Sequence, residues 1–211
     1  MTNEMTVIKA GDPRAVVLFC AGRGGSAARH MPFLEALAAK GLTVIAPHFD
    51  MMPMTPTAAD LETRIAIAER ALSHAPIGLP VVGIGHSIGG VILLIMAGAT
   101  ATTLAGEVVS PGAHDFARLV TLASPIGFFR RPGALDAVRV PVSVRSGALD
   151  TLTAPDQAQF LANTLAGATL TIDADAAHFT YMNDLPPQTT DPHPDRVGFL
   201  KALAAELAAT F

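Results

Sequence analysis

The sequence predicts one α/β domain, an open and mostly parallel sheet flanked by helices on both faces. Three observations carry that expectation. Short β-branched runs alternate with helix-like stretches along the 211 residues, the pattern of a sheet with right-handed helical crossovers. Most of those runs are apolar throughout rather than alternating, as strands covered on both faces require. Half of the residues are hydrophobic and only 15% are charged, ample material for a large buried core. No repeat, low-complexity tail or linker divides the chain, so residues 1–211 are read as a single domain.

In chain order, TVIK (6–9) reads as an antiparallel edge strand, joined through AGDP to the first core strand, AVVLFC (15–20). HMPFLEALAAKG follows as a helix that Gly41 stops. After strand LTVIA (42–46) comes a Pro-rich loop, PHFDMMPMTPT (47–57). TAADLETRIAIAERALSHA then opens with Thr57 and Asp60 in capping-box spacing and continues with apolar residues at helical intervals. Strand PVVGIG (80–85) runs into the helix SIGGVILLIMAGA. Strands LVTLA (119–123), VSVRS (142–146) and ATLTI (168–172) complete the sheet, with the helix DQAQFLANTLAG between the last two. A second Pro-rich loop, NDLPPQTTDPHPD (183–195), leads to the closing helix RVGFLKALAAELAATF.

The formal net charge is -4 and no block of Lys or Arg stands out, which argues against nucleic acid as a partner. The single cysteine, Cys20, excludes an internal disulfide framework. MTNEMTVIKAGDPR lacks the basic start and apolar stretch of a signal peptide. GVILLIMAGA (90–99) is the longest apolar run, well short of the ~20 residues that span a bilayer. The expectation is a soluble cytoplasmic protein without membrane insertion; whether it forms a homodimer stays open.

Gly85-His86-Ser87-Ile88-Gly89 matches G-x-S-x-G, with a strand before it and a helix after it. That context gives the pattern a mechanical reason. The serine occupies a strained strand-to-helix turn, and its neighbours two positions away must be small for the turn to close. A serine nucleophile needs a base and an orienting acid, which follow such an elbow in the order Ser, Asp, His. VSVRS runs into GALD, placing Asp150 after a late strand, and ATLTI runs into DADAAHF, placing His178 after the last one. Asp156 competes for the acid role, but it follows Pro155 at a helix start. His193 and His48 compete for the base role from other loops. For an oxyanion, backbone N–H groups are expected from Ile88 and from Arg23 in the glycine-rich loop CAGRGGS (20–26). The Arg23 guanidinium points either to solvent or to an acidic substrate group.

These residues resemble the α/β-hydrolase superfamily over nearly the whole chain. Within it the chain resembles the small dienelactone-hydrolase-like and platelet-activating-factor-acetylhydrolase-like branch. GRGGS is similar to that branch's oxyanion loop and GHSIGG to its elbow. AAHFTYMNDLPP…PDR is similar to its pattern of catalytic histidine, aromatic residues, Pro-rich loop and Asp-Arg pair. The chain departs from the pattern in Ala21-Gly22, where many relatives have His-Gly. It also carries a serine where true dienelactone hydrolases use cysteine, which speaks against a dienelactone substrate. The resemblance implies an α/β-hydrolase fold, and the roughly 60 residues between Ser87 and Asp150 leave little room for a large cap domain. The resemblance further implies a serine hydrolase that cleaves a small carboxylic ester or related acyl bond through an acyl-enzyme, with neither cofactor nor metal.

Weaker signals have plainer readings. His86 is read as a structural elbow residue and Cys20 as a buried small hydrophobe. Met51, Met52, Met54, Phe128 and Phe129 are candidates for an apolar pocket wall, and His48 and Asp50 for the cleft edge. The two Pro-rich loops and the phenylalanine loop are expected to build a shallow pocket. Asp191, His193 and Asp195 imitate metal ligands but alternate with prolines, as in an ordinary loop. Two other functions compete: a nucleotide-binding α/β module, and a hydrolase-like scaffold that only binds. GIGHSI fails G-x-G-x-x-G at Ile88, which opposes the first.

Overall fold

The computed structural model describes residues 5–110, 112 and 114–211. The edge strand β1 (Met5–Ile8) precedes β2 (Ala15–Cys20), and a 3₁₀ turn (Ala27–His30) leads into α1 (Met31–Ala38). β3 (Leu42–Pro47), α2 (Ala58–Leu72), β4 (Val81–His86) and α3 (Ile88–Met96) follow. A short hairpin, β5 (Ala101–Thr102) and β6 (Val108–Val109), separates α3 from β7 (Arg118–Leu122). The chain closes with β8 (Val142–Gly147), α4 (Pro155–Thr164), β9 (Thr169–Asp173) and α5 (Arg196–Ala209).

Seven strands form one sheet in the order β1-β3-β2-β4-β7-β8-β9. β1 runs antiparallel to β3, as the edge-strand reading expects, and every other pair is parallel. The strand order reverses at β2, whose neighbours are β3 and β4. In open α/β sheets, ligands bind outside the carboxyl ends of the strands at such a switch point.

β2 and β3 are buried along their full length, which accounts for their largely apolar sequence, and the buried Thr43 hydroxyl accepts from Ala10 N–H at 3.1 Å. On one face α2, α3 and α4 pack over Leu18, Leu119 and Val144. On the other, α1 and α5 pack over Val17, Phe19, Ile84 and Leu122. Every residue of α3 is buried, so an all-round apolar sequence is what this helix needs. Thr57 and Asp60 form the expected capping box: Asp60 N–H donates to Thr57 Oγ1 at 3.3 Å and Thr57 N–H to Asp60 Oδ2 at 2.8 Å. Gly41 takes up φ 84° beyond the end of α1. No helix among the described residues is long and apolar enough to cross a membrane.

The hairpin is absent from the expectations drawn from the sequence. Its strands have two residues each, too short for a periodicity to register. Glu107 holds it in place, accepting from Thr103 Oγ1 at 3.2 Å and from Ala58 N–H at 3.0 Å at the start of α2. A carboxylate is favoured there because a helix N-terminus presents unpaired N–H groups.

One ionic cluster ties the far side of the sheet to the segment after β9. Arg145 on β8 grips Asp173 bidentately, at 2.7 and 2.9 Å, and reaches Glu206 on α5 at 2.7 Å. The Tyr181 hydroxyl, on a wholly buried side chain, donates to Asp173 Oδ2 at 2.8 Å. The Arg145 and Asp173 side chains are each 11% exposed, whereas Glu206 is 55% exposed. Removing one partner of a buried pair strands the other charge. Arg145→Ala is therefore expected to cost about 3 kcal/mol in urea denaturation, and Glu206→Ala less than ~1 kcal/mol. Equal losses would show that Asp173 is not held by Arg145 in this way.

Candidate active site

Ser87 stands between β4 and α3 at φ 53° and ψ -127°, a backbone conformation that a non-glycine residue holds only when its surroundings enforce it. The surroundings here are close-packed backbone. A Cβ on Gly89 would lie 1.9 Å from the Cys20 carbonyl oxygen, and one on Gly85 would lie 2.4 Å from the Gly90 nitrogen. Glycine at both positions lets the first turn of α3 approach the ends of β2 and β4. The Ser87 N–H donates to Leu122 O at 2.8 Å, fastening the elbow to β7.

The structure brings Ser87, Asp150 and His178 together at the carboxyl edge of the sheet. The Ser87 hydroxyl donates to His178 Nε2 at 3.1 Å, and His178 Nδ1 donates to Asp150 Oδ2 at 3.0 Å. A carboxylate can only accept, so it places the imidazole proton on Nδ1 and leaves Nε2 free to accept. Burial raises the Asp150 pKa, but the hydrogen bonds and charge of His178, and then Thr153, outweigh it and hold the carboxyl below its usual 3.8. The competitors lie elsewhere. Asp156 is exposed in the first turn of α4. His48 bonds Thr6 Oγ1 at 2.8 Å, away from the cleft. His193 Nδ1 accepts from Asp195 N–H at 3.1 Å.

Thr153 is part of the site and went unnoticed in the sequence. Its hydroxyl donates to Asp150 Oδ2 at 2.6 Å and stands 3.1 Å from His178 Nδ1. The N–H groups of Leu152 and Thr153 each donate to Asp150 Oδ1 at 2.8 Å. An Asp whose side chain accepts from residues two and three ahead makes an Asx-type turn, so the run Asp150-Thr151-Leu152-Thr153 held the signal.

His86, the residue beside the serine, faces away from it. Its Nε2 donates to the His178 carbonyl oxygen at 3.0 Å, fixing the backbone that carries the His178 ring. His30 follows in the same stack, with ring centres 5.3 Å from His86, and bonds the Tyr181 carbonyl through Nδ1 at 3.1 Å. Burial first, then the nearby His178 and His30, hold His86 neutral well below the usual 6.5. Cys20 is buried, and its thiol is pushed up to about 12 by that burial, which makes it unreactive.

A cleft of about 430 Å³ opens beside Ser87, with Ile88 and Arg23 at the serine end. Its apolar walls come from Met52, Pro53 and Met54 of the first Pro-rich loop, Leu104 of the hairpin, Phe128 and Leu152. The second Pro-rich loop does not line it. Instead Asn183 and Asp184 donate through their N–H groups to Arg29 O at 2.9 and 3.1 Å, which anchors that loop beside α1. Phe129 is buried in the core and Met51 points to solvent, so the expected wall is partly replaced by the hairpin. Asp191 accepts from Thr180 Oγ1 at 2.8 Å and Asp195 caps α5. Among the described residues no three His, Cys, Asp or Glu side chains converge as metal ligands would.

No protein-family model matches the chain, and no curated protein matches it in sequence. Solved structures do match over almost its whole length. An esterase domain from Rhodothermus marinus is 19% identical with a TM-score of 0.62, covering 96% of this chain and 91% of that one. A serine hydrolase of the α/β type without a lid, from Xanthomonas campestris, is 19% identical with a TM-score of 0.65, covering 98% and 88%. A dienelactone hydrolase from Anabaena variabilis is 20% identical with a TM-score of 0.64, covering 97% and 88%. At such identities the likeness is one of architecture.

The histidine stack makes stability acid-sensitive. Burial lowers the His30 pKa from 6.5 to about 4, so the unfolded chain binds the proton more readily than the folded one. The stabilisation is complete above about pH 6.5 and is lost as pH falls towards 4, amounting to roughly 3 kcal/mol at ~1.4 kcal/mol per unit. Denaturant unfolding at stepped pH is expected to show this loss, with a shallower acid slope in His30→Gln. An identical slope in the variant would remove His30 as its source.

Proposed function

We propose that this chain, which has the α/β-hydrolase fold, is a serine hydrolase that cleaves a small carboxylic ester or related acyl bond. The observation that carries the reading is the hydrogen-bond chain Asp150–His178–Ser87, at 3.0 and 3.1 Å, ending at a positive-φ serine on an apolar cleft. In this reading Ser87 Oγ attacks the carbonyl carbon while His178 Nε2 takes its proton. Asp150 orients the ring and stabilises the imidazolium that forms. The N–H groups of Ile88 and Arg23 hold the oxyanion, a contribution of about 3 kcal/mol per donor in comparable sites. As the first helical residue, Ile88 has no carbonyl one turn back to bond, so its N–H is available.

The tetrahedral intermediate collapses, His178 returns its proton to the departing alkoxide, and the acyl group remains on Ser87. Water then attacks the acyl-enzyme with His178 again as base, releasing the acid and restoring the serine. Met52, Pro53, Leu104 and Phe128 supply an apolar bed for one arm of the ester. The neighbouring structures, an esterase domain and a lidless serine hydrolase, support the same chemistry.

A fluorophosphonate probe is expected to label the wild type once, at Ser87, and to leave Ser87→Ala unlabelled. On p-nitrophenyl esters Ser87→Ala and His178→Ala are expected to lose at least ~10³-fold in kcat, and Asp150→Asn about as much through the wrong tautomer. An unlabelled wild type would return the chain to the binding-module reading. Full activity of Asp150→Ala with loss in Asp156→Ala would exchange the acid.

A further inference from the structure

We infer that Arg64 is a positioning residue for the oxyanion-binding loop: its guanidinium draws the Gly22 and Arg23 carbonyls inward and so aims the Arg23 N–H into the cleft. The inference rests on the serine-hydrolase reading above. Arg64 sits in the second turn of α2, beneath the loop, and is 3% exposed. Its Nη1 donates to Gly22 O at 2.9 Å, and its Nη2 to both Arg23 O and Asp50 O at 2.7 Å. The guanidinium carbon also lies 4.9 Å from the centre of the Phe49 ring.

The direction of the Arg23 N–H follows from the peptide plane. No described peptide bond is cis, and in a trans peptide the carbonyl of one residue and the N–H of the next point opposite ways. Gly22 O faces Arg64 below, so the Arg23 N–H faces away from it. Away from it lies the cleft, which Arg23 lines with Ser87 and Ile88. Gly22 stands directly over the nucleophile, where a Cβ would be 3.3 Å from Ser87 Cβ.

Arg64 also reinforces the seam between two loops. Met52 N–H donates to Arg23 O at 3.0 Å and Phe49 N–H to Gly25 O at 3.1 Å, stitching the oxyanion loop to the first Pro-rich loop. Arg64 bonds carbonyls on both sides of that seam. Burial lowers its pKa to about 10, with Cys20, Asp50 and Asp60 opposing the shift, so it stays protonated at neutral pH. A guanidinium holds its donors in a fixed planar fork that spans three separated carbonyls, a geometry that the compact ammonium on a flexible stem does not reproduce.

Arg64→Met and Arg64→Lys test this. Gly22 O and Arg23 O keep their bonds from Gly25 N–H and Met52 N–H in either variant, so the loops retain part of their support. Measured on a p-nitrophenyl ester, kcat is expected to fall about 10²-fold in Arg64→Met and at least ~10-fold in Arg64→Lys, with KM changed less than about 3-fold. Fluorophosphonate inactivation should slow in parallel while still labelling Ser87. The acid midpoint of the kcat/KM profile should not move, because the His178–Asp150 pair is untouched. Should Arg64→Met fail to fold, Arg64→Lys decides alone. A folded variant with kcat within about 3-fold of wild type, or a loss confined to KM, overturns the assignment. A wild type that the probe does not label instead overturns the serine-hydrolase reading itself, which separates the two failures.

Discussion

The approach of the first turn of α3 to the carboxyl end of β2 is the constraint on which the site depends. Gly89 touches the Cys20 carbonyl with no room for a side chain. That contact forces the chain to reverse within one residue, and the residue is Ser87 at φ 53°. A strained backbone persists only where neighbouring structure over-determines it. Here the bond to Leu122 O and the wholly buried α3 provide that structure. The same closeness brings the glycine-rich loop over the serine, so one packing contact sets the spacing between Ser87 and Gly22.

Around this elbow the polar groups are arranged in tiers. Asp150 receives donors on both oxygens, from two backbone N–H groups, Thr153 and His178. A carboxylate satisfied in this way stays ionised despite its burial. His178 is held from behind by His86 through its carbonyl, and His30 steadies the same turn through Tyr181. Tyr181 in turn leads to Asp173 and Arg145. The proposed base thus sits at the end of a rigid, mostly neutral chain of contacts, with the charges kept at its two ends.

The cleft is assembled differently from the edge that carries Ser87, Asp150 and His178. Its walls are loop and hairpin residues, several of them exposed apolar side chains such as Met54 and Leu104. Side chains fixed at strand and helix ends supply the polar groups, and adaptable loop side chains supply the apolar surface. Arg64 connects the two regimes, since it bonds the loop over the serine and the loop that carries Met52.

Much of this was legible in the sequence, for identifiable reasons. Apolar runs such as AVVLFC and GVILLIMAGA announce strands and a helix buried on all sides, because burial leaves no position for a polar residue. The elbow is readable because the small residues it needs lie two positions either side of Ser87. The order Ser87, Asp150, His178 is readable because parallel strands deliver their following loops to one edge. The remaining features depend on partners far apart in the chain. The backward-facing His86, the hairpin that replaces the second Pro-rich loop as a wall, and the bonds from Arg64 to Gly22 have no local pattern, whereas the support from Thr153 lies in the Asx-type run after Asp150. The sequence by itself determined the layered sheet and the three residues at its edge, because periodicity and chain order are local properties. The tertiary structure decided which hydrogen bonds hold those residues and what lines the cleft, because a hydrogen bond between distant segments exists only once the fold has brought them within reach.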